Sequence, residues 1–315
     1  MRANVAALCL SLFAGVAVCS AQNTQPAAAS PQPDYSYVNC AGFITDQKVP
    51  DEIRVISGEQ SNDKITFSRG DYVYINRGQD KGIRVGDRFS VVRPEIADYL
   101  GLDGIPFAGD VYHALRHQKQ ADPNNVEWFK SQNKLLRAMG TTYSDLGQIR
   151  IINVSPRVSI GQITFSCGYM QRGDLLRPFE ERPSPPYKDP AAFDHFAPIS
   201  GKPVATLVTG TGFIQTFGHD DTGYVNIGNA QGVKVGDYLR FFRYQGRMAQ
   251  IIPQTKGDQY ELYGFGTAGA KYAPKDLPRE ILGEGIVLNV SRNSATILVT
   301  YSTIEIQAGD YVEVE

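Results

Sequence analysis

Four aspartates of this chain stand in one local setting. Asp87 and Asp237 each end a string Gly-[Ile/Val]-[Arg/Lys]-Val-Gly-Asp, at Gly82 to Asp87 and Gly232 to Asp237, with inner glycines Gly86 and Gly236. Gly173-Asp174 and Gly309-Asp310 repeat the last two residues of that string. Grouped carboxylates could serve as general acid and base or hold a divalent cation. The local setting favours a simpler role. Each aspartate directly precedes a β-rich segment, where its carboxylate can accept amide hydrogen bonds from a turn. The glycines mark backbone that needs positive φ or a close approach. Ile83/Val233 and Val85/Val235 are then expected to plug the end of the core. All ten glycines and aspartates read as structural turn residues, with no catalytic or metal set among them.

Other chemistry-bearing residues are fewer. His113 and His117 have zinc-helix spacing, but Ala114 stands where a zinc protease needs glutamate, and no third ligand follows. Gly264 to Gly269 formally matches a dinucleotide fingerprint but lacks its strand and helix, so no cofactor is expected. Asn153-Val154-Ser155 and Asn289-Val290-Ser291 read as polar strand ends. Aromatics crowd one stretch, Phe241, Phe242, Tyr244, Tyr260, Tyr263, Phe265 and Tyr272. They fill the core and a long flap or form a protein or glycan contact surface. Trp128, the single tryptophan, is read as helix packing, with ligand stacking as the alternative.

The chain opens with Arg2, an apolar run from Val5 to Val18, and small residues Ser20 and Ala21. That pattern is a secretory signal peptide over 1–21, too short to span a bilayer. A lipoprotein ending at Cys19 is the poorer fit, because Val18 is bulky where a small residue is wanted. Removing Arg2 takes the net charge from -2 to -3. No basic stripe stands out, so nucleic acid is not an expected partner. Cys40 and Cys167 remain in an exported chain and read as a disulfide, the alternative being two buried thiols. Residues 22–36, rich in Ala, Pro, Gln and Ser, read as a disordered leader.

The elements that position these residues come as a repeat. Asp71 to Asp87 (DYVYINRGQDKGIRVGD) aligns without gaps on Asp221 to Asp237 (DTGYVNIGNAQGVKVGD). Leu146 to Asp174 aligns likewise on Leu282 to Asp310. Such a period indicates tandem duplication of one unit. β-rich runs follow the aspartates in both copies. The expected fold is mainly β, with two tandem duplicated small β-barrels of SH3-like or cradle-loop-like type at 37–179 and 202–315. A proline-rich, stiff linker at 180–201 joins them. The copies diverge over Pro94 to Tyr143 and Tyr244 to Ile281. The first divergent region carries an inserted helix, Asn125 to Met139, with Leu136 and Met139 on one face and Gly140 as its stop.

The run from Tyr74 to Gly78, continuing to Gly86-Asp87-Arg88-Phe89, resembles small β-barrel repeats of bacterial envelope proteins. These include the C-terminal domain of the flagellar T-ring protein family and the barrels that accompany LysM domains. Ser294-Ala295-Thr296 and Gly309-Asp310 fit the later part of that pattern. The resemblance implies a fold and no catalytic residues; no LysM domain is present. The expectation is a non-enzymatic, exported protein of the periplasm or outer membrane, binding or assembling envelope proteins through its divergent loops. The alternative is peptidoglycan or glycan binding through the loop aromatics.

Overall fold

The computed structural model describes residues 31–60, 62–95, 134–188, 193–244 and 279–315, and the backbone of 260–261 and 267–268. The expected signal peptide, most of the expected leader, His113, His117, Trp128, Tyr263, Phe265 and Tyr272 lie outside the described residues, as do residues 125–133 of the expected helix. The protein is mainly β.

A short helix, α1 (Tyr35–Asn39), leads into β1 (Phe43–Thr45) and β2 (Val55–Gly58). Then follow β3 (Tyr72–Ile75), β4 (Arg88–Glu95), β5 (Thr141–Val154), β6 (Ser159–Ser166) and β7 (Leu175–Pro178). They form a seven-stranded sheet in the order β2-β3-β6-β5-β4-β7, with β1 paired to β5. The second half contains β8 (Val204–Gly210), β9 (Thr222–Val225), β10 (Tyr238–Tyr244), β11 (Arg279–Val290), β12 (Ala295–Ser302) and β13 (Tyr311–Val314). These close into a barrel in the order β8-β9-β12-β11-β10-β13.

Strand for strand the two orders are the same, and so are their irregularities. Register shifts fall at Val91/Val92 and Phe241/Phe242, at Gln148/Ile149 and Glu284/Gly285, and at Ile151/Asn153 and Val287/Asn289. Bulges of this kind bend strands and let a sheet curl toward closure. The interiors match too. Phe67 and Phe217 are fully buried, and each comes from a two-residue ladder, Thr66–Phe67 with Met170–Gln171 and Thr216–Phe217 with Ile306–Gln307. A Cβ on Gly58 would lie 2.2 Å from the Phe67 ring, and one on Gly210 would lie 2.6 Å from Phe217. Only glycine lets either ring enter the core.

The halves differ at the seam. β8 pairs with β13 over three residues, Val204 to Thr206. In the first half the corresponding contact is one bridge, Arg54 with Leu175, flanked by Val55 N to Asp174 O at 2.9 Å and Leu176 N to Ile53 O at 2.9 Å.

The described start of the linker is bonded to the first half. Arg182 forms a two-point ion pair with buried Asp145, 2.7 Å at each oxygen, and also donates to Val38 O at 3.0 Å. Ser184 Oγ donates to Pro33 O at 2.7 Å, and Tyr187 N to Pro31 O at 2.8 Å. Pro31 and Pro33, at the end of the expected disordered leader, therefore accept bonds from the linker, and its last two residues, Tyr35 and Ser36, already belong to α1. Arginine and serine between prolines supply the side-chain bonds that a rigid polyproline segment alone would lack.

Candidate functional site

The turn aspartates are the most repeated polar feature of the chain. Each of six accepts, through Oδ2, the amide of the residue three positions earlier. The pairs are Asp71 with Ser68, Asp87 with Arg84, Asp174 with Gln171, Asp221 with Gly218, Asp237 with Lys234 and Asp310 with Gln307, at 2.7–2.8 Å. Each aspartate N also donates back to the carbonyl of that same residue, at 3.0–3.3 Å. The residue before the aspartate has positive φ every time. It is Gly70, Gly86, Gly173, Gly236 and Gly309 in five turns and Asp220, at φ 71°, in the sixth. A turn whose third residue has positive φ favours glycine there. Gly82 and Gly232 share φ values of 81° and 86° at the ends of matching 3-10 turns.

These turns overturn one expectation. Ile83 and Val233 are buried, but Val85 and Val235 are 66% and 37% exposed. Both valines sit at the second position of an aspartate-closed turn, which carries them away from the core.

Asp174 and Asp310 carry a second load. Each is buried and holds an arginine through both oxygens, Arg93 at 2.7 and 2.9 Å and Arg243 at 2.7 and 2.7 Å. Burial opposes the charge of Arg93, but its bond to Asp174 raises its pKa above the ordinary value. These carboxylates are fully occupied as turn and ion-pair acceptors.

A second polar concentration lies where the halves meet. The segment Ala41 to Thr45 crosses from the first half onto the barrel. Tyr224 Oη and Thr211 Oγ1 donate to Ala41 O at 3.2 and 3.1 Å, Thr296 Oγ1 to Gly42 O at 3.1 Å, and Ser294 Oγ to Ile44 O at 2.6 Å. Gly42 N donates to Asp145 at 3.0 Å. Burial pushes the Tyr224 hydroxyl well above its usual range. Cys40 and Cys167 form a disulfide beside this crossing, 127 residues apart. Leu136 and Met139, from the described helical turn 134–139, pack with Ile44, Val208 and Tyr224, and Gly140 follows with φ 124°.

The third concentration lies on the outer face of the barrel, beneath Lys188 and linker residues 193–200. Lys188 Nζ is 2.6 Å from Glu284 and 2.6 Å from Glu315. Glu313, fully buried, meets Arg240 at 3.3 Å and also pairs with Arg279. Phe193 and Ala197 of the linker cover Phe242 and Ile281. Phe242, Tyr244 and Tyr311 form an aromatic triangle with centroids 5.4–5.6 Å apart, and Arg279 lies 4.6 Å over the Phe242 ring. This triangle stands at the root of the second divergent region. Phe241, its neighbour across the bulge, belongs instead to the barrel core. Of the aromatic surface expected from the sequence, Tyr244 lies in the triangle, partly buried. Tyr260 contributes described backbone only, paired with Ala268.

Nothing in the sequence flagged Asp71, Asp221 or the Glu284 cluster. Asp71 could have been found, since it follows glycine as the other four do, whereas Asp221 follows Asp220. The cluster could not, because its members come from three strands and a linker. Among the described residues, no group of three or more histidine, cysteine or acidic side chains is arranged to hold a metal ion. No helix among them is long and apolar enough to cross a membrane. No protein-family model matches the chain, and no curated protein matches it.

Proposed function

We propose that the two halves are copies of one small barrel. We further propose that the protein is a non-enzymatic, exported module of the bacterial envelope, binding or assembling protein partners through its two divergent loops. The observation that carries this reading is the division of labour between shared and private residues. The six aspartate-closed turns recur at matched positions, each carboxylate accepting a backbone amide, and Asp174 and Asp310 each hold an arginine as well. The divergent regions leave from corresponding strand ends, Glu95 and Tyr244, where β4 and β10 hand over to β5 and β11. A rigid frame with variable loops at one end is how many scaffolds present binding residues.

The disulfide suits an oxidising compartment and hence export. The aromatic triangle at the root of the second loop favours a secondary reading, contact with peptidoglycan or another glycan. Cross-linking and pull-down from envelope fractions test the first reading, which expects a reproducible protein partner. Co-sedimentation with purified sacculi separates the two. Protein left in the supernatant argues against glycan binding, and pelleting without any protein partner would replace the first reading with the second.

A further inference from the structure

One outer face of the second barrel is covered by the first half. Val38 and Ala41 pack on Ile286, Leu288 and Leu298, while Ile44, Leu136 and Met139 pack on Val208 and Tyr224. Side chains of the face fasten this cover: Tyr224, Thr296 and Ser294 donate to the carbonyls of Ala41, Gly42 and Ile44. By strand register and the gapless repeat, the same face of the first half carries Ile56, Tyr74, Arg150, Ile152 and Ile160. Ile56 and Ile152 are 41% and 42% exposed, where their counterparts Val208 and Leu288 are 0% and 1%. The first half thus has the apolar residues of the face without its cover.

The covering segment has a counterpart as well. β1 pairs with Tyr143, and Arg279, which occupies the position of Tyr143, holds the carbonyls of Ala197 and Pro198. Phe43 packs on Val92, and Ala197 packs on Phe242, which occupies the position of Val92. Each segment therefore seats one residue on its own half. Beside Phe43, Ile44 turns outward and is buried against the second barrel. Beside Ala197, Phe196 and Ile199 also turn outward, and they are 80% and 66% exposed. Charge matches between the two open surfaces. Asp194 is exposed next to Phe196, and Arg150 is exposed on the open face, where the second half has Ile286.

We propose that copies of this chain associate head to tail. Phe196 and Ile199 of one copy dock on Ile56, Tyr74 and Ile152 of the next copy's first half, with Asp194 meeting Arg150. The chain already makes this junction once internally, between its first half and its second, and an array repeats the packing between copies. The patch on each side is one that association would take out of water. A contact between two different patches leaves one of each open at the ends, so it propagates into a ring or a filament. The inference rests on the reading of the two halves as copies of one barrel and is independent of any envelope partner.

The test is sedimentation velocity on the disulfide-intact chain from Gln22 onward. Between about 1 μM and about 1 mM, wild type should pass from monomer to dimer to longer species. Phe196→Asp and Ile152→Asp should each weaken association about tenfold or more. Mixed together, the two variants should form a 1:1 dimer and nothing longer, because one intact docking segment then meets one intact face. A wild type that stays monomeric, or association indifferent to both substitutions, overturns the proposal. So does a dimer weakened by Phe196→Asp alone, which would be a two-fold contact between linkers. Should a variant misfold by circular dichroism, amine cross-linking of mixed isotopically light and heavy wild-type chains decides. Links from Lys202 of one copy to first-half lysines of another support the proposal, and links confined to one isotope overturn it. A monomeric wild type would leave the repeat reading standing, since paired substitutions in the turns of the two halves test that separately.

Discussion

Corresponding positions in the two halves do the same work inside and different work outside. The inner residues of β4, β5 and β7 match those of β10, β11 and β13 in burial and bulge position. On the outer face the partners change. Gln148, Ser90, Arg177 and Phe179 in the first half stand where Glu284, Arg240, Glu313 and Glu315 stand in the second. Gln148 donates to Tyr35 Oη at 2.6 Å under α1, whereas Glu284 meets Lys188 under the linker. Arg177 stacks 4.4 Å over Phe43, and burial followed by the nearby Arg182 lowers its pKa; Glu313 is instead held by two arginines. Each half is thus lidded on the same strands by the segment that precedes it in sequence. The frame is fixed by turn geometry, and the lid chemistry is free to differ.

Several substitutions would break or sharpen this comparison. The largest effect should come from Asp174→Ala and Asp310→Ala. Each leaves a partly buried arginine without its carboxylate and a turn without its cap, costing about 3–5 kcal/mol in urea denaturation. Similar losses in both support equivalence. A loss in one alone would break it.

Next comes the feature private to the first half. Cys167 N and Thr303 N make the same bond, to Leu146 O at 2.9 Å and Leu282 O at 2.8 Å, but only the cysteine continues into a disulfide. Cys40→Ser with Cys167→Ser should cost on the order of 4–5 kcal/mol by the chain-entropy model, read as a lower denaturation midpoint. No change in midpoint would remove the disulfide from the account of how the first half is held.

A smaller and symmetrical loss is expected at Gly78→Ala and Gly228→Ala. The new Cβ would lie 2.2 Å from Ser155 O in one and 2.2 Å from Ser291 O in the other. Overpacking of this kind costs roughly 1–3 kcal/mol. The smallest effect belongs to the exposed turns. Asp87→Ala and Asp237→Ala each lose one amide acceptor, worth about 1 kcal/mol, and should lower thermal stability equally.

Much of this frame was readable from residue types. Gly-Asp before a β-rich run specifies a turn and then a strand, and a gapless repeat says that the same turn occurs twice. The strands after Asp71, Asp87, Asp237 and Asp310 follow from that local code. β1, β2 and β8 do not, because Phe43–Thr45 and Val55–Gly58 lack a preceding Gly-Asp and gain their pairing from distant strands. The linker's placement was unreadable for a related reason. Its prolines signal stiffness, but its position depends on Arg182 finding Asp145 and Lys188 finding Glu284, contacts between residues 37 and 96 positions apart. Val85 misled locally, since a hydrophobic residue inside a glycine turn looks like a plug until the turn's direction is known.

The most direct test sets the shared residues against the private ones in a single cross-linked pull-down from envelope fractions. One variant carries Asp87→Asn and Asp237→Asn, which remove two charges and keep the capping oxygen. The other replaces residues 246–277 with a short Asn-Gly turn between β10 and β11. The partner should be retained by the asparagine variant and lost by the loop replacement, with both proteins folded by circular dichroism. Loss of the partner in the asparagine variant, with retention in the loop replacement, would place function in the repeated turns and contradict the division described here.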